Sequence, residues 1–405
     1  MKSTLLLLAL LVTYVAQAQT VGFENPPYNG SAGGTVASGQ GGWYLPGVAG
    51  SVDGNIYTYA GNALGATPNP NGQAQFLGGM SQGGTAFART QRDFTFSPAD
   101  DYAISFEMNG FFSGTLPSAQ NLGSFSTQDS VTTRIFIALM RWNDVNTATS
   151  YNAGFNAYDS LGTAMATQVP GPMWQDCAVN HWYRQSVAID YVTNSVLAVG
   201  ITDMGTRISR CTRVTGWYLQ GGAAPTLGMP TAARFFAGGA AGNVMCWDNL
   251  AIADSSNRVT GTVTFGDLDA LAPRPDCAVF EFRDPNTLHV VSSVVGLLSP
   301  VGAYDINAPG PGTYNVAVKH THWLRQGQVV TITGGVGTAN FTLINGDADE
   351  DNELSIGDYA LLSAAFNSVP NDPNWNPMTD FNGDEEVNIG DFAILSFNFG
   401  MIGDD

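Results

Sequence analysis

Basic residues are scarce in this chain. Against 34 Asp and Glu stand only 15 Lys and Arg and four His, for a formal charge of −19, which excludes nucleic acid as the main partner because binding a phosphate backbone takes a basic face. Long hydrophobic runs are also lacking. The run Leu5 to Val15 follows Met1-Lys2 and precedes Ala16-Gln17-Ala18; it is too short to span a bilayer, and its three-part layout predicts a signal peptide over residues 1–18, cut near Ala18. The mature protein is therefore expected outside the cytoplasm, secreted or at the cell surface, with no transmembrane segment. Cysteine is sparse, four residues with no CxxC pair, so a zinc site is not indicated, while export permits disulfides. Three pairings are open. Cys177 with Cys211 is favoured, because joining Cys246 to Cys277 would cross a domain boundary. Low charge and 48 Gly point to short strands and many turns.

What is plentiful is acid at the C-terminal end, and it is ordered. Asp347-Ala-Asp349-Glu-Asp351-Asn352-Glu353-Leu-Ser355-Ile356-Gly357-Asp358 returns 33 residues later as Asp380-Phe-Asn382-Gly-Asp384-Glu385-Glu386-Val-Asn388-Ile389-Gly390-Asp391. Oxygen side chains fall at positions 1, 3, 5, 9 and 12 of both copies, the spacing of a twelve-residue calcium loop whose position 7 adds a backbone carbonyl. Each copy runs into an apolar pattern of helical period, Tyr359 to Phe366 and Phe392 to Phe399. Residues 345–405 hold 14 of the 34 acids and no Lys or Arg, so the loops need divalent cations to relieve their mutual repulsion.

A calcium loop plus only the following helix, written twice with Asp at position 12, resembles the type I dockerin, built of two F-hand repeats and found in bacterial polysaccharide-degrading complexes. The resemblance covers residues 345–405. It implies two Ca2+ ions, held by Asp347, Asp349, Asp351, Glu353, Ser355 and Asp358 and by Asp380, Asn382, Asp384, Glu386, Asn388 and Asp391. It also implies a cohesin-like domain or cell-surface scaffold as partner, met through positions 10 and 11, here Ile356-Gly357 and Ile389-Gly390. Those positions depart from the small hydroxyl residues common in the family. Position 6, usually Gly, is Asn352 in one loop and Glu385 in the other; Glu tolerates positive φ poorly, so weaker binding is expected in the second loop.

Residues 19–254 read as strands separated by Gly, Pro and Asn turns. Tyr183 to Tyr191 and Val196 to Asp203 form the clearest hairpin, and Val244 to Ile252 a closing strand. With Gly22-Phe23-Glu24 and Gly42-Trp43 at its start, this order resembles the concanavalin-like jelly roll of lectins, laminin-G modules and some glycoside hydrolases. Hydrolytic members carry Glu-x-Asp-x-x-Glu on one strand. Here only Glu24 and Glu107 occur, and Glu107 is followed by Met-Asn-Gly-Phe, so no catalytic residue is assigned; Asp190, Asp203 and Asp248 read as turn or strand-end acids. Sugar binding needs aromatic faces beside a few polar groups. Among the many aromatics, Trp142 and Trp174 sit in the most loop-like surroundings and are the ligand-binding candidates.

Residues 259–344 supply seven further short strands after a polar linker. The opening Val259-Thr-Gly-Thr-Val263 and Pro311-Gly-Thr-Tyr314-Asn-Val316 resemble the carboxypeptidase-regulatory-like, transthyretin-type sandwich, an immunoglobulin-like β-sandwich that usually serves as a spacer. His320 and His322 share a strand face without a third metal ligand. The fold class expected is thus mainly β: a jelly-roll sandwich, a smaller sandwich and a small α-helical calcium module. Three functions fit this order. The first is a non-catalytic carbohydrate- or surface-binding protein attached through its calcium module, as in polysaccharide catabolism. The second is a glycoside hydrolase acting from the first sandwich, and the third a cell-surface structural protein.

Overall fold

A computed structural model of the chain describes residues 19–96, 101–112, 121–129, 133–141, 149–223 and 227–405. The signal-peptide reading of residues 1–18 and the candidate Trp142 lie outside them. The architecture is mainly β. A nine-stranded sheet runs in the order β15 (Ser209–Arg213), β14 (Ser195–Asp203), β13 (Tyr183–Asp190), β8 (Asp101–Phe112), β17 (Asn243–Asp254), β6 (Gln75–Met80), β5 (Asn55–Thr58), β2 (Thr35–Val36), with β1 (Gln19–Val21) also beside β17. An eight-stranded sheet faces it: β12 (Cys177–Ala178), β11 (Ser150–Asn156), β10 (Arg134–Arg141), β9 (Asn121–Gln128), β16 (Ala232–Ala237), β7 (Phe87–Asp93), β3 (Trp43–Tyr44), with β4 (Ser51–Val52) beside β7.

Alternation explains the core between these sheets. Phe106, Met108, Phe125, Phe136, Phe155, Phe235, Met245 and Trp247 are buried together, each flanked along its strand by residues of the opposite face. Gly123 shows why one of these strands must be glycine-containing, since a Cβ there would lie 2.3 Å from the Phe236 carbonyl oxygen and 2.6 Å from Met245 Cγ.

The smaller sandwich pairs β21 (Ala303–Asn307), β18 (Arg258–Phe265) and β24 (Val336–Leu343) against β20 (Val290–Leu297), β19 (Cys277–Arg283), β22 (Gly312–His320) and β23 (Trp323–Ile332). It is not held off as a spacer. Strand β20 lies across the outer face of the nine-stranded sheet, where Ser186 Oγ and Ser293 Oγ are 2.9 Å apart and the Ser293 amide donates to Ser105 Oγ at 3.1 Å. Ala103 and Ala253 of the large sheet join the small sandwich's core. At Gly200 the backbones come close enough that an added Cβ would sit 3.3 Å from Val279 Cγ2.

The disulfide crosses the same boundary. Cys211 of β15 bonds Cys277 of β19, and Cys177 and Cys246 are free and buried, which corrects the expected Cys177–Cys211 pair. The physical reason is the docking itself, which brings Cys211, midway along β15, and Cys277, the first residue of β19, within a Cα separation of 6.1 Å. A buried ion network seals the contact. Arg184 Nε donates to Glu107 Oε1 at 2.9 Å and Nη1 to Glu281 Oε1 at 2.8 Å, while Arg283 Nε donates to Glu281 Oε2 at 3.0 Å.

Two helices complete the chain, α2 (Ile356–Ala365) and α3 (Ile389–Asn398), following a single-turn α1 (Pro172–Gln175). Among the described residues no helix is long and apolar enough to cross a membrane.

Candidate metal centre and attachment face

The two acidic loops fold alike because each closes on its own helix N-terminus. Ser355 caps α2 by accepting from the Gly357 amide at 3.1 Å, and Asp358, at the third helical position, accepts from the Ser355 amide at 2.7 Å. Asn388 and Asp391 repeat this on α3, with the Gly390 and Asn388 amides at 2.7 and 2.8 Å. This reciprocal capping box satisfies helix donors that would otherwise be orphaned. The same aspartates reach back across the loop. Asp358 Oδ1 accepts from the Ala348 amide and Asp391 Oδ1 from the Phe381 amide, both at 2.7 Å.

The halves also exchange backbone pairs. The Leu354 amide donates to Met401 O at 2.8 Å, and the Val387 amide to Ser368 O at 2.9 Å, equivalent bonds under the 33-residue repeat. Leu362, Leu395, Ala348, Phe381 and Val387 pack the small core between them.

Oxygens converge in the first loop. One carboxylate oxygen from each of Asp347, Asp349 and Asp351 lies within 4.8 Å of the others, about the widest separation that two oxygens on one calcium shell can show when each bond is about 2.3–2.6 Å. In the second loop Asp380 accepts from the Gly383 and Glu385 amides at 2.9 and 3.1 Å, and Asn382 Oδ1 from the Asp384 amide at 3.0 Å. Glu353 and Glu386 place their amides on the carboxylates of Asp351 and Asp384, both at 2.9 Å. Every sequence-derived loop residue thus lies in one of two short, turn-like loops of matching design.

The turns carry a signal the sequence reading only half caught. Positions 4 and 6 of both loops are left-handed: Glu350 at φ 62° and Asn352 at 70°, Gly383 at 74° and Glu385 at 66°. Glutamate in this region costs about 1 kcal/mol or more. Replacing Glu385 by Gly is therefore expected to relieve this strain and stabilise the protein by about 0.5–1 kcal/mol, read as a higher urea midpoint; a lower midpoint would show that the Glu385 side chain contributes to the loop.

Charge makes the loops costly when empty-handed. Asp347, Asp358 and Asp391 are buried. Burial, offset in part by Lys319, pushes the Asp347 carboxyl up to about 6, and burial with the neighbouring Asp391 charge does the same to Asp380. Nearby cations come from outside the module. Lys319 of β22, itself buried, donates to Asp347 Oδ2 and to Trp323 O, the latter at 2.8 Å. Arg210 of β15 makes a two-pronged contact with Glu350 at 2.7 and 2.6 Å. The first loop is thus wedged against both sandwiches.

The second loop also touches the small sandwich, where the Asp269 amide donates to Asn382 O at 2.8 Å and the Phe381 ring lies 5.7 Å from that of His322. Position-10 residues stand clear of the protein, Ile356 at 69 % and Ile389 at 68 % exposure, beside exposed Tyr359 and Phe392 whose rings are 6.2 Å apart. Gly357 and Gly390 lie in the first turns of the same helices. The two faces match in character, with Tyr359 against Phe392 and Leu361 against Ile394, until Ala364 meets Phe397, which is 82 % exposed.

Elsewhere two candidates change character. Trp174 is 2 % exposed and packed in the jelly-roll core, so it cannot offer a stacking face; proline-containing α1 turns it inward. His320 is half-buried and His322 buried, and both pack on aromatic rings, with the His320 ring 5.8 Å from Trp323 and the His322 ring 3.9 Å from Trp323 and 5.7 Å from Phe381. Burial lowers them to about 4 and about 3.

The acids of the first sandwich also needed the fold to be read. Asp190 accepts from the Val192 amide at 2.7 Å and Asp203 from the Gly205 amide at 2.8 Å, as turn acids do. Asp248, expected at a strand end, is instead mid-strand and directly opposite Glu107 in the β17–β8 ladder. Both are buried, and burial together with the Glu107 charge pushes Asp248 well above its ordinary value, with Tyr59 donating to it at 2.7 Å. Asn71, Asn249 and Arg184 all donate to Glu107. Hydrolysis between two carboxyl groups needs room for a sugar between them; this pair lies instead on the face that β20 covers.

No family model matches the chain, and no curated protein matches it. Among solved structures, an N-terminal interface mutant of a type II cohesin–X–dockerin complex from Acetivibrio cellulolyticus is similar at 17% identity, TM-score 0.31, over 36% of this chain and 97% of that one. A carbohydrate esterase from Shiga toxin-encoding bacteriophage phi24B gives 12% identity and TM-score 0.33 over 55% and 96%. Peanut lectin gives 10% and 0.33 over 58% and 98%. Scores this low leave the architecture to rest on the strand order itself.

Proposed function

We propose that this is an exported, non-catalytic, multi-module protein whose C-terminal residues 345–405 bind two calcium ions and attach the rest of the chain to a cohesin-like domain or scaffold, with the jelly roll as its carbohydrate- or surface-binding part. The observation that carries the reading is the duplication, in which two loops close on their own helices by the same hydrogen bonds and each presents a similar apolar face. Calcium would be held by Asp347, Asp349, Asp351, Ser355 and Asp358 with the Glu353 carbonyl, and by Asp380, Asn382, Asp384, Asn388 and Asp391 with that of Glu386. Its role would be electrostatic and structural: it would offset carboxylate repulsion and so fix the helices whose outer faces meet the partner.

Exposed isoleucines have no folding reason to recur at matched positions. Binding to a panel of purified cohesin domains is expected to require calcium and to be released by chelator. Because the faces are duplicated, Ile356→Asp and Ile389→Asp should each weaken binding modestly and together by at least tenfold, about 1.4 kcal/mol or more. Undiminished binding by the double variant would place the partner surface elsewhere.

A further inference from the structure

Each helix of the C-terminal module exposes a stripe that carries no charge. On α3 the outward positions are Ile389, Phe392, Ala393, Ser396 and Phe397, spaced at i, i+3, i+4, i+7 and i+8 as one face of a helix is, while Leu395 on the other side fills the core. From Ile356 to Ala364, α2 repeats the stripe at the same spacing, with Leu362 turned inward. The Tyr359 and Phe392 rings, 6.2 Å apart, join the two stripes into one patch.

Acid surrounds this patch. A Cβ on Gly357 would collide with Asp349 Oδ2, which places that exposed residue's carboxylate against the first turn of α2, beside Ile356. At α3, Glu386 Oε2 accepts from Asn388 Nδ2 at 3.4 Å, and Asn388 caps the helix one residue before Ile389. Glu353 and Glu385 are exposed in the same two loops. Residues 345–405 hold 14 acids and no Lys or Arg; two calcium ions would offset four of those charges, and Arg207, Arg210 and Lys319 pair with three more. The module stays negative.

An uncharged aromatic centre inside a charged rim is the composition of a protein–protein contact. The sign of the rim then selects the occupant. A second copy of the chain would set acid against acid, and an anionic membrane surface would do the same, whereas a partner with Lys and Arg around an apolar pocket complements both the rim and the centre. Within the patch, Phe397 is the most exposed aromatic side chain among the described residues, at 82 %, and its counterpart Ala364 offers only a methyl group. The ring with the most apolar area left to bury gains most from a pocket.

We infer that the partner of this module is a protein whose contact surface is an apolar pocket rimmed by basic residues, and that Phe397 is the anchor that fills it. The inference rests on the attachment reading above and names the chemistry of the partner's surface. The test is binding of the full chain, in calcium, to purified cohesin domains of net positive and of net negative charge. Positive domains should bind more tightly, and added salt should weaken them by slowing association. Phe397→Ala should raise the dissociation constant about tenfold or more, while its calcium titration matches that of wild type, which separates a lost contact from a lost fold. Preference for negative domains, or binding that salt does not weaken, would overturn the basic rim, and unchanged affinity of Phe397→Ala would overturn the anchor; each leaves the attachment reading standing. Binding to no domain while calcium is still taken up would remove both. Sedimentation of the chain as a dimer, or flotation with phosphatidylserine vesicles, abolished in either case by Phe397→Ala, would give the patch to a second copy or to a membrane and overturn the inference.

Discussion

Replacing Glu281 by Gln is expected to destabilise the protein by about 3–5 kcal/mol, because it removes one member of a buried ion network and leaves the others uncompensated. Glu281 of the small sandwich is flanked by Arg283 on its own strand and by Arg184 of the jelly roll, with exposures of 10 %, 0 % and 3 %. Burial alone would raise its pKa, but the charges of Arg283, Arg184 and Arg325 prevail and hold it well below the usual carboxylate range. The sign of the pH effect follows. A depressed folded-state pKa contributes stability that is complete above the unfolded value, near 4.5, and is lost as pH falls through the folded value. The gap in urea midpoint between wild type and Glu281→Gln should therefore be widest at pH 7 and narrow toward pH 3. A gap that stays constant with pH would mean that packing, not charge, accounts for the loss. Since Arg184 reaches both Glu107 and Glu281, the variant should also loosen the two sandwiches from each other, with the Cys211–Cys277 bond keeping them tethered.

Lys319→Met should show the second large effect, and only under one condition. In chelator the change strands the Asp347 carboxylate, which is fully buried beside a lysine of 4 % exposure, and a cost of about 3–5 kcal/mol is expected. With calcium in excess, the metal supplies the missing cation and the cost should shrink to the loss of packing and of the bond to Trp323 O. Removing a positive charge next to the loop should also tighten the first site. Thermal unfolding with and without calcium checks this. Equal losses in both conditions would mean that Lys319, and not a metal, is the permanent partner of Asp347.

How much of this could be read from the residues varies with how local the determinants are. The loop-and-helix shape of the acidic repeats was legible because each loop and the start of its helix lie within about a dozen residues; the helices begin at Ile356 and Ile389, slightly before the apolar pattern suggests. Their capping boxes were not, because Ser355, Asp358, Asn388 and Asp391 also fit the spacing of metal ligands. The β13–β14 hairpin was equally clear. Strands β6, β9 and β11 were not, because Gln75–Met80, Asn121–Gln128 and Ser150–Asn156 are rich in Gly, Ser and Asn and read as turns. Gly123 and its neighbours are in a strand for reasons of cross-sheet space that sequence does not display. Conversely, Val214 to Leu219 alternates like a strand yet forms none, the pairing edge being taken by Ser209–Arg213.

The docking of the sandwiches was the least legible feature. Its determinants are long-range, 77 residues from Arg184 to Glu107 and 97 to Glu281, and no local pattern marks Ser186, Ser293 or Gly200 as meeting points. That docking decides the fate of several single-residue readings. It turns Asp248 and Glu107 into a sealed pair, moves the disulfide across a boundary, and leaves the eight-stranded sheet as the jelly roll's sheet not covered by β20.

Isothermal titration of the full chain with calcium tests the central claim most directly. Two binding events per chain are expected, with Asp347→Asn weakening one and Asp380→Asn the other. A flat titration, or a stoichiometry that neither substitution changes, would contradict the proposal that the duplicated loops are metal sites.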